Sequence, residues 1–490
     1  MLNILLITLD QFRGDCLAAS GHAVVRTPNL DRLAHDGLNL RRHFSQSAPC
    51  GPGRASLYTG MYQMNHRVVA NGAPLDDRHD NIARAARRAG YAPTLFGYTD
   101  QAIDPRVATG PDDPRLQSYE QVLPGFDVGL HTPSTDFGGW VAWLRAKGHA
   151  PAEAALAALA EESERPAEHS LTAFLTDGFL GWLETREGPW FAHLSHLRPH
   201  PPYAAAGHFS TLYDPADMPP PIAPADRRHR LHDGLLRNPL MAAPTEAAEA
   251  RRLMAQYYGM ISEVDFQLGR VWSALERSGQ WDNTLIVVTA DHGEQLCDHG
   301  LVQKAGYFEQ SYHVLGLIRD PRADTVRGAG IEAFTENIDI FPTLCEAMGI
   351  EVPVQCDGAP LTPFLRGEAP PWWREAAHWE YDWRFGRIGD GPHPWPWDRR
   401  LERQTLSVRR DQTHAYVHFG DGSWLCFDLE RDPTWRTLTD DPAVALTKAQ
   451  ALLTWRAVHA DRTLTGMLTE GGGVGRWPPM PQGWRPADAQ

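Results

Sequence analysis

Leu2-Asn3-Ile4-Leu5-Leu6-Ile7-Thr8-Leu9 runs with little polar interruption into Asp10. A short, nearly continuous apolar stretch is what a strand needs when helices cover both of its faces, because neither face meets water. Thr284-Leu285-Ile286-Val287-Val288-Thr289-Ala290 has the same character and leads into Asp291-His292-Gly293. Ligands of open α/β sheets bind at the carboxyl ends of the strands, so two runs far apart in sequence are expected to bring acidic groups to one sheet edge.

Between these runs lie segments of helical periodicity: residues 81–89, 170–185 and 246–278, the last with Met260, Ile261, Val264, Leu268, Val271 and Leu275 on one face. Alternating strands and helices predict an α/β fold, a doubly wound, mixed but mostly parallel sheet flanked by helices. Residues 200–245 are rich in proline and are expected to form an irregular excursion over the active-site face. From about residue 375 the pattern changes to short alternating runs, Leu406–Val408, Ala415–Phe419 and Trp424–Phe427, with a turn at Gly420-Asp421-Gly422. This predicts a smaller C-terminal antiparallel sheet plus a helix near 443–459. The expected division is a catalytic domain over 1–374, an α+β subdomain over 375–465 and an irregular tail over 466–490 that could serve as an oligomerisation arm.

A chain of 490 residues with 42% hydrophobic content can bury a large core. Its net charge of −15 argues against nucleic acid or an anionic membrane as the main partner. An anionic substrate must then meet a locally positive site. Trp372, Trp373, Trp379, Trp383, Trp395 and Trp397 crowd into one segment and could line a pocket or a subunit interface, with packing the preferred reading. Six cysteines form no C-x-x-C pair and no disulfide framework, which suits a reducing compartment. The N-terminal run lacks a basic leader and a small-residue cleavage site, and no window is apolar for long enough to span a membrane. A cytoplasmic location is expected.

Asp10, Asp291 and His292 offer hard oxygens and one imidazole, a donor set for a divalent ion. Mn²⁺ is favoured, with Ca²⁺, Mg²⁺ and Zn²⁺ open. Taken singly, Asp291 could equally be a strand-end cap and His292 a loop histidine. A helix starting near Pro52 would point its free amides at position 50 and favour an anion there, with Arg54 one turn along. Lys304 and His200 are candidates to bind nonbridging oxygens or to protonate a leaving group.

The run Cys50-Gly51-Pro52-Gly53-Arg54 resembles the sulfatase signature, in which a cysteine is oxidised to formylglycine. Residues 27–34, Asp291-His292-Gly293-Glu294 and residues 339–344 also resemble sulfatase segments, in the expected order. Met64-Asn65-His66-Arg67, Gly97-Tyr98-Thr99, Arg198-Pro199-His200-Pro201-Pro202 and residues 459–465 are similar to the phosphonate monoester hydrolase branch and its arylsulfatase relatives, within the alkaline phosphatase superfamily.

The resemblance implies an alkaline phosphatase-like sheet and a metal held by Asp10, Gln11, Asp291, His292 and formylglycine 50. It implies Arg54 as support for the nucleophile, and Asn71, Tyr98, His200 and Lys304 near substrate. It also implies maturation by a formylglycine-generating enzyme and a homotetramer or homodimer. Hydrated formylglycine is a geminal diol: one hydroxyl attacks, and deprotonating the other expels the inorganic group. Asp100 stands where the phosphonate hydrolase pattern can carry threonine, and a charged Asp100 would repel extra negative charge on a substrate.

The expected activity is hydrolysis of a small, singly charged ester, with aryl sulfates first and phosphonate monoesters and phosphodiesters close behind. The reverse ranking is the main alternative. Two rivals differ in kind: a phosphotransferase using Ser56 or Thr59, and a catalytically silent metal-binding homologue.

Overall fold

The computed structural model describes residues 1–133, 136–322, 324–384 and 402–461, together with the backbone pairing of Leu468–Thr469 with Gly475–Arg476. The first apolar run forms the strand Asn3–Leu9, buried at every residue. It lies near the middle of an eight-stranded sheet in the order Asp127–His131, Thr94–Gly97, Phe191–His196, Asn3–Leu9, Thr284–Thr289, Gly316–Arg319, Leu38–Leu40, Ala329–Ile331. Only Gly316–Arg319 runs against its neighbours.

Alternation along the central strand explains the two-faced burial. Leu5, Ile7 and Leu9 enter one core with helices Leu171–Leu183 and Ala247–Arg277. Ile4 and Leu6 enter a second, with Leu57 and Tyr58 of helix Cys50–Thr59 and Phe341 and Leu344 of helix Ile340–Met348. Each such residue removed from water contributes about 1.5–3 kcal/mol, which is why both faces must be covered.

Helix starts follow local capping chemistry. The Ser170 hydroxyl accepts from the Ala173 amide at 3.0 Å, and Asn81 and Asp441 cap their helices in the same way. The observed spans Ile82–Arg88, Leu171–Leu183, Ala247–Arg277 and Pro442–Val458 agree closely with the expected ones. Two expectations are corrected. The signature helix begins at Cys50 rather than near Pro52. The proline-rich excursion holds the helix Arg230–Arg237, whose Leu231 and Leu235 are buried against Tyr307 and Phe308.

The C-terminal strands Ala376–Asp382, Thr405–Asp411, His414–Phe419 and Trp424–Asp428 form an antiparallel sheet. Helix Pro442–Val458 buries Leu452 and Trp455 beside Tyr416, Cys426 and Tyr62. Trp379 stacks between Tyr312, at 5.0 Å, and Phe44, at 5.7 Å, and the Glu380 amide donates to the Gln46 carbonyl at 2.9 Å. This sheet therefore buttresses the segment that leads into Cys50. Trp373, Trp379 and Trp383 pack into cores, while Trp372 is partly exposed. Trp395, Trp397 and, apart from its one short backbone pairing, the tail 466–490 lie outside the described residues. All six cysteines are buried, and none forms a disulfide among the described residues. Among the described residues no helix is long and apolar enough to cross a membrane.

Candidate active site

Strand register places the acids. Thr8 pairs with Thr289 in parallel, so Asp10 and Asp291, two residues further along each strand, leave the sheet at the same level. Helix Cys50–Thr59 comes in against them, buried along its whole length. The approach is close enough that a Cβ at Gly53 would collide with the Asp291 carbonyl, so only glycine fits there. One donor atom from each of Asp10, Cys50, Asp291 and His292 then converges within 4.8 Å. Arg54 fixes the outer edge of this group: its Nε donates to Asp291 Oδ2 at 2.8 Å and its Nη2 to Asp10 Oδ2 at 3.2 Å. Its Nη1 donates to Ser195 Oγ at 2.8 Å and to the Tyr98 carbonyl at 3.0 Å.

The donor set suits a cation. Two wholly buried carboxyls share one guanidinium, and they divide the burden unequally. Asp291 is pushed up to about 7 by burial and by Asp10, while Asp10 is held low, the charges of Arg54 and Lys304 outweighing its burial. Burial keeps His292 neutral. Its Nδ1–H donates to the Gly293 carbonyl at 3.1 Å, which leaves the Nε2 lone pair facing Cys50 Sγ at 3.2 Å. Two carboxylate oxygens and a neutral imidazole nitrogen converging on one point fit a divalent ion. The Cys50 thiol is pushed well up by burial and by Asp10, so an unmodified cysteine here would stay protonated and inert.

Lys304 and His200 meet beside this group, with Nζ and Nε2 2.7 Å apart. Burial and Lys304 lower His200 to about 4, and its Nδ1–H donates to the Pro201 carbonyl at 2.7 Å. Nε2 is therefore an acceptor for the Lys304 ammonium. Lys304 keeps its proton because the acids Asp10 and Asp291 more than offset its burial, and it also donates to Gln11 Oε1 at 2.7 Å.

Residues 2–350 match the family model described as Sulfatase, and residues 297–453 match the C-terminal region of N-sulphoglucosamine sulphohydrolase. The multifunctional alkaline phosphatase superfamily protein PehA of Trinickia caryophylli is 39% identical over 509 residues, which cover 94% of this chain and 96% of that protein. This chain belongs to the sulfatase family. Two solved phosphonate monoester hydrolases share its fold. That of Agrobacterium radiobacter superimposes with a TM-score of 0.87 at 42% identity over 98% of this chain and 100% of its own. That of Silicibacter pomeroyi gives 0.88 at 36% identity over 98% and 99%.

Within this sulfatase-family site several residues do something other than expected. Tyr98 is buried, lies under the Arg54 guanidinium at 4.2 Å and donates its hydroxyl to Asp10, so it orients a candidate ligand instead of facing open space. Asn71 is exposed, and its Oδ1 accepts from the Gly51 amide at 2.8 Å, taking one of the helix amides expected to face an anion. The Gln11 side chain joins Lys304 to Glu294, its Oε1 accepting and its Nε2 donating. Asp100 is buried in a left-handed turn at φ 51° and forms no pair with Lys304. Burial pushes its carboxyl well above the usual range, against the pull of Arg54, which favours its neutral form.

Ser56 and Thr59 are committed elsewhere, Ser56 to His66 Nε2 at 2.9 Å and Thr59 to the Ala55 carbonyl at 2.6 Å. The roles of Ser195 and Glu294 were not anticipated. Glu294 lies in the Asp-His-Gly-Glu run and binds Gln11, Tyr203 and two backbone amides. Its place two residues after His292 was the signal available.

Proposed function

We propose that this chain is a formylglycine- and metal-dependent hydrolase of singly charged tetrahedral esters: phosphonate monoesters, phosphodiesters and aryl sulfates. The observation that carries this reading is the convergence of Asp10, Cys50, Asp291 and His292 beside the Lys304–His200 pair. The likeness over the full chain to two phosphonate monoester hydrolases and a multifunctional relative supports it.

Asp10, Asp291 and His292 would hold the ion, Mn²⁺ first and Ca²⁺ second, with the Gln11 oxygen as a further donor. Formylglycine formed from Cys50 would supply the nucleophilic hydroxyl, and the ion would lower the cost of its deprotonation. Arg54 and Tyr98 orient the two acids. Lys304 offers one N–H to a nonbridging oxygen, and the proton shared between its Nζ and His200 Nε2 moves to the departing oxygen as charge builds there. Asn71 sits at the rim, where the alcohol portion of the ester would lie.

A single divalent ion and one free ammonium suit a substrate with one negative charge better than a phosphate monoester with nearly two. The preference for sulfate expected from a charged Asp100 is weakened, because burial of that carboxyl favours its neutral form. The likeness to the phosphonate hydrolases favours placing phosphonate monoesters and phosphodiesters first. The reading also includes a formylglycine-generating enzyme as maturation partner, a homotetramer or homodimer, and a cytoplasmic location that suits six cysteines without a disulfide among the described residues.

The test is mass spectrometry of the peptide containing position 50, from protein made with and without a formylglycine-generating enzyme. It is followed by kcat/KM for phenyl phosphonate, bis-aryl phosphate and aryl sulfate. A loss of about 18 Da with turnover is the expected result. Activity with an unmodified Cys50 would overturn the mechanism, and sulfate turnover far above phosphonate would reverse the ranking.

A further inference from the structure

Arg198 precedes His200 by two residues, so a cation for the anionic substrate would be its obvious role. The fold turns it the other way. Arg198 is wholly buried, and its guanidinium is wrapped by its own loop: Nη1 donates to the carbonyls of His200 at 2.8 Å and Pro202 at 2.7 Å, and Nη2 to that of Ala204 at 3.2 Å. Its Nε donates to Glu162 Oε2 at 3.0 Å, Nη2 also reaches that carboxylate, and Glu162 is itself buried. Glu162 is fixed in turn, since its Oε1 accepts from the Leu171 amide at 2.7 Å at the start of helix Leu171–Leu183.

Residues 198–204 have no strand or helix ladder to satisfy their carbonyls. Without Arg198 the carbonyls of His200 and Ala204 would lose their donor, and that of Pro202 would keep only the Ala204 amide at 2.8 Å, at a cost that forces the loop to rearrange. The His200 ring is referenced to the same loop, because its Nδ1 donates to the Pro201 carbonyl.

We infer that Arg198 and Glu162 are positioning residues for His200: the buried ion pair holds the loop carbonyls and thereby sets the imidazole against Lys304. The inference rests on the reading above that the proton shared by His200 and Lys304 goes to the leaving oxygen. A misplaced imidazole must then harm poor leaving groups, which need the proton, more than good ones.

The experiment uses full-length protein matured with a formylglycine-generating enzyme, with rates normalised to modified position 50. It reads kcat/KM across aryl esters of graded phenol acidity for Glu162→Gln, Glu162→Asp, Arg198→Lys, His200→Asn and the double variant Glu162→Gln/His200→Asn. Glu162→Gln should lose about 10-fold or more with the least acidic phenol and less than about threefold with the most acidic, with Glu162→Asp in between. In the His200→Asn background the same change should add no leaving-group dependence.

A uniform loss across leaving groups, or a steeper dependence that persists without His200, would overturn the inference. Glu162→Asp and Arg198→Lys keep the buried charge and are read in the same way if Glu162→Gln does not fold. If His200→Asn itself shows no leaving-group dependence, the proton-transfer role fails and this inference falls with it. A steep His200→Asn beside a flat Glu162→Gln overturns the positioning pair alone.

Discussion

Arg54 and Arg374 each stand, wholly or nearly buried, between two carboxylates, and the two clusters have opposite fates. Around Arg374 every carboxylate oxygen meets an N–H or O–H donor. Glu336 accepts from Tyr62 at 2.6 Å and from the His378 amide at 2.8 Å, while Asp339 accepts from the amides of Glu336 at 2.8 Å and Ala359 at 2.9 Å. Arg374 binds both acids, and a reciprocal capping box closes the network. Around Arg54 the outer oxygens are taken in the same way, but Asp10 Oδ1 faces only the Cys50 thiol at 3.9 Å and the unprotonated His292 Nε2 at 3.8 Å. Equal charge arithmetic thus yields a closed structural knot at one place and an open donor set at the other. What distinguishes a site is weakly partnered, convergent atoms rather than buried charge itself.

The comparison makes five predictions. Cys50→Ala should lower kcat by at least about 10³-fold, read from ester hydrolysis by metal-loaded protein; retained turnover would return the nucleophile to Ser56 or Thr59. Arg374→Met should cost about 3–5 kcal/mol of stability in denaturant titration while leaving kcat per folded molecule within about threefold. Arg54→Met should instead lower kcat by about 10²-fold or more, and similar activity losses in both would erase the distinction.

Mn²⁺ at about 100 times its Kd should stabilise the chain by about 2.7 kcal/mol against thermal or chemical unfolding. Asp10→Asn should abolish that gain and Glu336→Gln preserve it. The smallest effect concerns pH. Burial, opposed by Arg374, pushes Glu336 up to about 7 from its ordinary 4.5. The folded chain therefore keeps a proton that the unfolded chain has released. Stability falls as pH rises between those values, by up to about 1.4 kcal/mol per unit, and levels off above. Unfolding titrations at about pH 5 and about pH 7 should show the wild type losing more stability than Glu336→Gln, and equal losses would deny the shift.

Much of the open cluster was legible in the sequence. Asp10 and Asp291 announce themselves as the residues ending two apolar runs, and Cys50 and Arg54 belong to one short signature. The closed cluster was not. Tyr62, Glu336, Asp339, Arg374 and His378 come from three separate segments, and nothing in the local pattern of any one names its partners. The same holds for Arg198, whose neighbourhood suggested substrate and whose burial against Glu162 excludes it. Tyr98 was legible as a site residue, but its contact with Asp10 was not.

Sequence alone determined the strands, because burial on two faces demands uninterrupted apolar residues. It determined the helix ends, because caps are made by side chains two or three residues from the amides they satisfy. It also determined the chemical identity of the donor set. Tertiary structure alone decided which atoms stayed open. The register of two parallel strands levels Asp10 with Asp291, the close approach at Gly53 brings position 50 to them, and Lys304 finds Gln11 across 293 residues of chain. Such contacts depend on how whole elements pack, and a periodicity only a few residues long carries no record of that.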